Sequence, residues 1–251
     1  MAWIQMSHYA DTLGMHVRCN VLLPVRDYWK EDASSYPVLW LLHGAYGNCD
    51  DWMRYTALER YAAEKGLMVV MPSAQNSSYM DMEHGGKYYT YITKELKEKI
   101  GRMFPASQKR EENYLCGLSM GGWGSMMIGM ANPQSYSAVG CFSAGIDFVE
   151  HILPDSLILD GKCPLYQDVR SNARLIASGK APKVRIYLAM GEQDKLLAYA
   201  HRARNFFEGF PPETFDFTYV EAPGAHHWPF WEEQIKAYLD WLGLPDQEGI
   251  K

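Results

Sequence analysis

Cysteine is sparse and unpatterned in this 251-residue chain: Cys19, Cys49, Cys116, Cys141 and Cys163 form no C-x-x-C pair and no zinc-finger spacing. An odd, scattered set of five argues against a disulfide framework and predicts free thiols in a reducing compartment. Long apolar runs are also missing. No stretch approaches ~18 residues, so no membrane-spanning helix is expected. Met1 to Asn20 lacks a basic segment followed by an apolar one, so no secretory leader is read there. Positive charge is in deficit, with 24 basic against 30 acidic side chains and a net charge of −6. No basic block rises above that background, which argues against phosphate-backbone binding. Repeats and low-complexity tracts are absent as well. These absences predict a cytoplasmic protein with no nucleic-acid or membrane partner, folded as a single domain over residues 1–251.

What is present suits a large packed core. A chain of this length buries roughly 70% of its unfolded surface and needs no metal or disulfide staple. Eight Trp and 17 Tyr supply amphipathic contact area, suited equally to core filling, to subunit contacts in a homo-oligomer, or to a carbohydrate or aryl pocket.

Short apolar runs alternate with longer helix-like stretches, the pattern of a mostly parallel sheet with helices on both faces. Strands are predicted at Val38–Leu42, Leu67–Met71, Tyr114–Cys116, Ala138–Ser143, Val184–Met190 and Phe215–Val220. Helices are predicted over Asp51–Lys65, stopped by Gly66, and over Tyr88–Phe104, where Ile92, Leu96, Ile100 and Met103 share a face. Further helices are expected over Gly122–Met130, Leu196–Phe207 and Pro229–Leu242. Residues 73–87 read as a polar loop. Residues 146–180 read as an irregular insert over the strand ends, either a lid or a surface excursion.

The chemistry concentrates at Gly117-Leu118-Ser119-Met120-Gly121. Chance supplies a bare G-x-S-x-G often, but here it follows an apolar strand and opens a helix rich in small residues. That strand–elbow–helix arrangement exposes a serine at the top of a sheet. Its glycines permit close strand–helix packing around a strained nucleophile. The helix N-terminus adds partial positive charge where an oxyanion develops.

A serine hydroxyl needs a base, and the base needs a carboxylate to fix its tautomer. In an elbow fold the chain order is Ser, then Asp or Glu, then His. Asp194, in Met190-Gly191-Glu192-Gln193-Asp194, and His226, in Gly224-Ala225-His226-His227-Trp228, both follow predicted strands. Both therefore sit where open parallel sheets bind ligands. Glu192 competes with Asp194, and His227 competes with His226, since spacing does not separate adjacent loop residues. His201 falls inside a predicted helix and reads as a surface residue, and His151 falls in the insert. Two oxyanion donors are expected from the backbone N–H groups of Met120 and of Ala45 in His43-Gly44-Ala45-Tyr46-Gly47. His43 reads as a brace for that loop.

These residues resemble the esterase D-like putative esterases, which include tributyrin esterases, S-formylglutathione hydrolases and feruloyl or acetyl-xylan esterases. The resemblance rests on Leu41-Leu42-His43-Gly44 with Gly47 and Trp52, the Tyr79–Asp81 loop, and Tyr88-Tyr89-Thr90-Tyr91-Ile92 leading into Glu95-Leu96. It rests further on Gly117 to Gly122, Gly191 to Asp194, and Gly224 to Trp228 with Trp231, and it spans about residues 15–242. It implies an α/β-hydrolase fold and a serine carboxylesterase of short-chain or aryl esters, acting on a small-molecule substrate without cofactor or metal. It places the catalytic histidine at His226 and supports Asp194 and the Ala45 and Met120 amides. His227 and Ser78 depart from the tributyrin-esterase branch, which often carries Glu and Trp there, so substrate preference is the open part. The glutathione-thioester branch is less close, because its histidine motif reads Asp-His-Ser-Tyr. Thioester hydrolysis, and a non-catalytic binding module on the same fold, are the alternatives.

Overall fold

The computed structural model describes residues 1–25, 35–82, 84–147 and 168–247. Its centre is an eight-stranded sheet in the order β1-β2-β4-β3-β5-β6-β7-β8. The strands are β1 (Ala2–Ala10), β2 (Met15–Leu23), β3 (Val38–Leu42), β4 (Met68–Pro72), β5 (Asn113–Leu118), β6 (Ala138–Phe142), β7 (Arg185–Gly191) and β8 (Phe217–Ala222). The β1–β2 and β2–β4 pairings are antiparallel, and every pairing from β4 through β8 is parallel.

β3, β4, β5 and β6 are buried along their whole length because both sheet faces are covered. Alternate residues of β3 feed the two cores. Val38, Trp40 and Leu42 face one core, with Ile92, Leu96 and Ile100, and with Met126, Met127 and Met130 of α5 (Met120–Ala131). Leu39 and Leu41 face the other, with Trp52 of α1 (Asp51–Tyr55), Leu58, Tyr61 and Ala62 of α2 (Leu58–Glu64), and Ile235, Tyr238 and Leu239 of α8 (Trp228–Trp241). The remaining helices are α3 (Tyr88–Thr90), α4 (Lys97–Met103), α6 (Val169–Ala177) and α7 (Leu197–Glu208).

Several expectations need correction. The β1–β2 hairpin was not anticipated, although β1 alternates Ile4, Met6 and His8 inward with Trp3, Gln5, Ser7 and Tyr9 outward. The helix expected over Asp51–Lys65 breaks in two. Thr56 is extended there, and the Ala57 N–H donates to Glu232 of α8 at 2.9 Å rather than continuing the helical ladder. The helix expected over Tyr88–Phe104 is present, with a π-helical segment Tyr91–Leu96 joining α3 to α4. The loop 73–87 is polar in sequence yet buries Ser77, Ser78, Tyr79 and Met80. Within the insert 146–180, Val169–Ala177 is a helix, capped by Asp168 accepting from the Ser171 N–H at 2.8 Å. Residues 148–167 of that insert, with its reading as a lid, lie outside the described residues, as do His151 and Cys163. The other four cysteines are free and buried. Among the described residues no helix is long and apolar enough to cross a membrane.

β4 and β5 lie on opposite sides of β3, so the chain reverses direction across the sheet at β3. That switch opens a crevice at the carboxyl ends of β3 and β5.

Candidate active site

β5 ends at Leu118, and Ser119 turns the chain into α5 with φ 53° and ψ −117°. A non-glycine residue held in that region is strained and persists only when its surroundings dictate it. The Ser119 N–H donates to the Phe142 carbonyl at the end of β6 (2.8 Å), and its own carbonyl accepts from Trp123 (3.0 Å). The glycines on either side are demanded by contact. A Cβ on Gly117 would stand 2.4 Å from the Gly121 carbonyl oxygen, and one on Gly121 would stand 2.4 Å from that of Leu42. Only bare backbone lets β3, β5 and α5 approach this closely.

The structure brings Ser119, His226 and Asp194 into one hydrogen-bonded series. His226, in the loop between β8 and α8, places Nε2 3.0 Å from Ser119 Oγ and Nδ1 2.9 Å from Asp194 Oδ2. A carboxylate only accepts, so Nδ1 carries the proton and Nε2 is free to accept from the serine hydroxyl. Asp194 follows β7, and its Oδ1 also accepts from the Leu196 N–H at 2.8 Å. Burial pushes the Asp194 carboxyl up, but hydrogen bonds from His226, the Leu196 amide and Ser143 outweigh it and hold the group below the usual carboxylate range. The carboxylate is therefore ionised at neutral pH.

The competing residues lie elsewhere. Glu192 is exposed and its carboxylate accepts from Gln193. His227 caps α8, its Nδ1 accepting from the Phe230 N–H at a long 3.4 Å. His201 on α7 pairs with Glu221 of β8 at 2.7 Å, away from the crevice.

His43 is buried at the end of β3. Its Nε2 accepts from the Ala74 N–H (2.9 Å), which fixes Nδ1 as the donor to the Gly44 carbonyl (2.7 Å). Desolvation lowers its pKa to about 4, so the ring is neutral. A trans peptide points its C=O and the following N–H in opposite directions. Anchoring the Gly44 carbonyl thus aims the Ala45 N–H away from His43. Tyr79 adds a second tie, its hydroxyl donating to the His43 carbonyl at 2.8 Å. The Met120 N–H lies in the first turn of α5, where amides have no intrahelical acceptor. Among the described residues neither the Ala45 nor the Met120 amide has an intramolecular partner.

The crevice encloses about 590 Å³ and is lined by Gly44, Ala45, Ser119, Leu118 and His226 at its base. Tyr46, Asp51, Tyr55, Lys195, Trp228 and Trp231 form its walls. Tyr55 and Trp228 stack at 4.8 Å, and Trp231 stands edge-on to both Trp228 (5.3 Å) and His226 (5.1 Å). Tyr46 is 93% exposed at the rim with φ 63°, held by donation of its N–H to Asn76 Oδ1 at 2.7 Å. Asn76 and the buried Ser143 carried no motif signal in the sequence. Among the described residues no group of three or more metal-ligating side chains is gathered.

Such a series, beside two free amides, suits acyl transfer through a serine. Known proteins share the architecture. An acetyl esterase of Caldicellulosiruptor saccharolyticus is 27% identical, over 96% of this chain and 98% of its own. FphF, a fluorophosphonate-binding serine hydrolase of Staphylococcus aureus, superposes with a TM-score of 0.83 at 25% identity, covering 96% of this chain and 98% of that one. The S-formylglutathione hydrolase FrmB of the same organism superposes at 0.82 with 26% identity and the same coverage. The family model "Putative esterase" matches residues 10–242. The chain belongs to that family and is a serine-type carboxylic ester hydrolase.

Proposed function

We propose that Ser119 is the nucleophile, His226 the general base and Asp194 its orienting carboxylate, with the Ala45 and Met120 amides as oxyanion donors. The observation that carries this reading is the continuous Ser119–His226–Asp194 series at the base of the crevice. Ser119 Oγ attacks the ester carbonyl as its proton passes to His226 Nε2. The new C–O bond leaves a tetrahedral oxyanion held by the two amides, each donor lowering the barrier by roughly 3 kcal/mol. The C–O bond to the alcohol then breaks, and the alcohol departs with the proton from Nε2. Water repeats the sequence on the acyl-enzyme and releases the acid. Asp194 stays ionised throughout and stabilises the imidazolium.

The substrates we assign are short-chain or aryl esters, including acetylated or feruloylated saccharides. The Tyr55–Trp228 wall suits a ring-bearing group, and the Caldicellulosiruptor relative is an acetyl esterase. In this reading the chain acts as one domain in the cytoplasm on a small ester, without nucleic acid, membrane, cofactor or metal, alone or as a homo-oligomer. The test is p-nitrophenyl acetate turnover by the wild type and by Ser119→Ala. Equal rates would end the assignment. The likeness to FrmB supports a second reading, thioester hydrolysis on the same residues. A higher kcat/KM for S-formylglutathione than for oxyesters would favour it.

A further inference from the structure

β6 lies between β5, which ends in the nucleophile, and β7, which leads to the acid. The residue just beyond it, Ser143, is fully buried and has φ 53°. It is the second strained serine at the carboxyl ends of these strands. Its backbone ties the neighbours together: the Ser143 N–H donates to Ala189 of β7 at 2.9 Å, while the adjacent Phe142 carbonyl accepts from Ser119. Its side chain receives the Trp231 indole N–H at 2.9 Å. An indole N–H donates only, so Ser143 Oγ accepts there and its own proton must go to another acceptor. The Asp194 carboxylate, which the Ser143 hydroxyl helps to hold below the usual carboxylate range, is the acceptor that suits it. Trp231 in turn packs edge-on against His226, at 5.1 Å and 87°. Three contacts are fixed by distance, Trp231 to Ser143, Asp194 to His226 and His226 to Trp231, and a Ser143 proton directed at Asp194 completes them as a ring.

We propose that Ser143 is a positioning residue, a hydroxyl anchored by Trp231 that braces the Asp194 carboxylate so that His226 stays aligned on Ser119. The inference rests on the assignment of Ser119, His226 and Asp194 given above. Without this brace the carboxylate keeps the His226 and Leu196 donors but gains freedom to rotate about its side-chain bonds. A small rotation swings Oδ2, and with it the imidazole, off the serine. The strained backbone is consistent with the role, because a glycine would adopt φ 53° without cost but has no hydroxyl to offer.

The test uses Ser143→Ala, Ser143→Gly and Trp231→Phe in the full chain. Trp231→Phe keeps an aromatic ring beside His226 and removes the indole donor, with some of the packing against Trp228. The expected loss in kcat for p-nitrophenyl acetate is about 10- to 100-fold in each, the factor that follows from losing one hydrogen bond in a chain ending on a charged group. KM should stay within about twofold in the two Ser143 variants, because Ser143 does not line the crevice, whereas Trp231 does and its variant is read on kcat alone. Combining Ser143→Ala with Trp231→Phe should cost little more than either change alone, since both break the same chain. Ser143→Gly guards against a folding artefact, as its backbone fits the strained turn freely. Its melting temperature should match or exceed that of Ser143→Ala while its kcat is equally low. Wild-type kcat in the folded Ser143→Gly protein would overturn the proposal. Fluorophosphonate labelling separates the two levels of inference. A wild type that fails to label at Ser119 would sink the underlying assignment, whereas normal labelling rates in both Ser143 variants would sink the brace alone.

Discussion

His43 ties a titration to the loop that presents the Ala45 amide. Its pKa falls from 6.5 in an unfolded chain to about 4 here because the ring is buried. Between those values the unfolded chain binds a proton that the folded protein refuses, so folding stability rises with pH across the window and falls as pH drops through it. The whole shift corresponds to about 3 kcal/mol, of which about 2 kcal/mol is lost between pH 7 and pH 5. Protonation also removes the lone pair that accepts the Ala74 N–H. His43→Gln isolates the effect, since a glutamine amide can accept from Ala74 and donate to Gly44 without titrating. Urea unfolding of both proteins at a series of pH values is the assay. From pH 7 to pH 5 the wild-type midpoint should fall further than that of His43→Gln by roughly 0.7 M, taking an unfolding slope of about 3 kcal/mol/M. The other seven histidines are the same in both proteins, so the difference between them isolates His43. Because His43 is a brace and not a base, His43→Gln should also retain most of its esterase activity at neutral pH. Parallel stability curves would refute the buried neutral imidazole, and an inactive but folded His43→Gln would refute its purely structural role.

Gly121→Ala drives a Cβ to 2.4 Å from the Leu42 carbonyl oxygen and 2.6 Å from that of His43, forcing α5 off the end of β3. Overpacking against backbone costs about 1–3 kcal/mol, which calorimetry should register as a melting temperature lower by several degrees, with kcat falling alongside; an unchanged melting temperature would mean that the helix slides freely. Tyr46→Gly relieves a bulky residue at φ 63° and removes a ring from the rim. Thermal stability should hold while KM for p-nitrophenyl esters rises several-fold at nearly constant kcat, and an unaltered KM would remove Tyr46 from the substrate site.

The strands from β3 to β7 were legible because buried parallel strands read as continuous apolar runs, such as Val38-Leu39-Trp40-Leu41-Leu42, while the half-buried β8 was marked by its Phe and Tyr content. The β1–β2 hairpin was not read, because its inward positions include His8 and alternate with the exposed Trp3 and Tyr9, blurring the contrast. The helix break at Thr56 was invisible for a different reason. Thr56 carries a weak local stop, its hydroxyl accepting the Leu58 N–H at 3.2 Å, but the partner that takes the Ala57 amide, Glu232, lies far along the chain. The three side chains that the structure aligns are those to which the motif order pointed, because each needs a fixed place at a strand end. Spacing did not choose between His226 and His227. In the structure the two divide by geometry, one ring entering the crevice and the next turning back to cap α8. Ser143 and Asn76 stayed hidden because a single hydroxyl or amide acting on a neighbour leaves no pattern along the chain.

Catalysis and specificity in this chain have different structural owners. The groups proposed to react sit at the ends of β5, β7 and β8, set by hydrogen bonds between strands that two cores hold rigid. The walls come from the loop after β3, from α1 and from the start of α8, where substitutions disturb no ladder. That division accounts for relatives named for acetyl esters and for S-formylglutathione that share this architecture over 96% of the chain. The separation is incomplete at one place. Trp52, edge-on to Trp228 at 5.4 Å, donates its indole N–H to the Leu42 carbonyl at 3.1 Å. Leu42 is the last residue of β3, immediately before the loop that aims the Ala45 amide. A ring pressed against Trp228 therefore bears, through Trp52, on the strand end that leads to the proposed oxyanion donor. In the proposed mechanism, binding at Trp228 and stabilisation of the oxyanion share one anchor, so a change at Trp228 is felt in kcat as well as in KM.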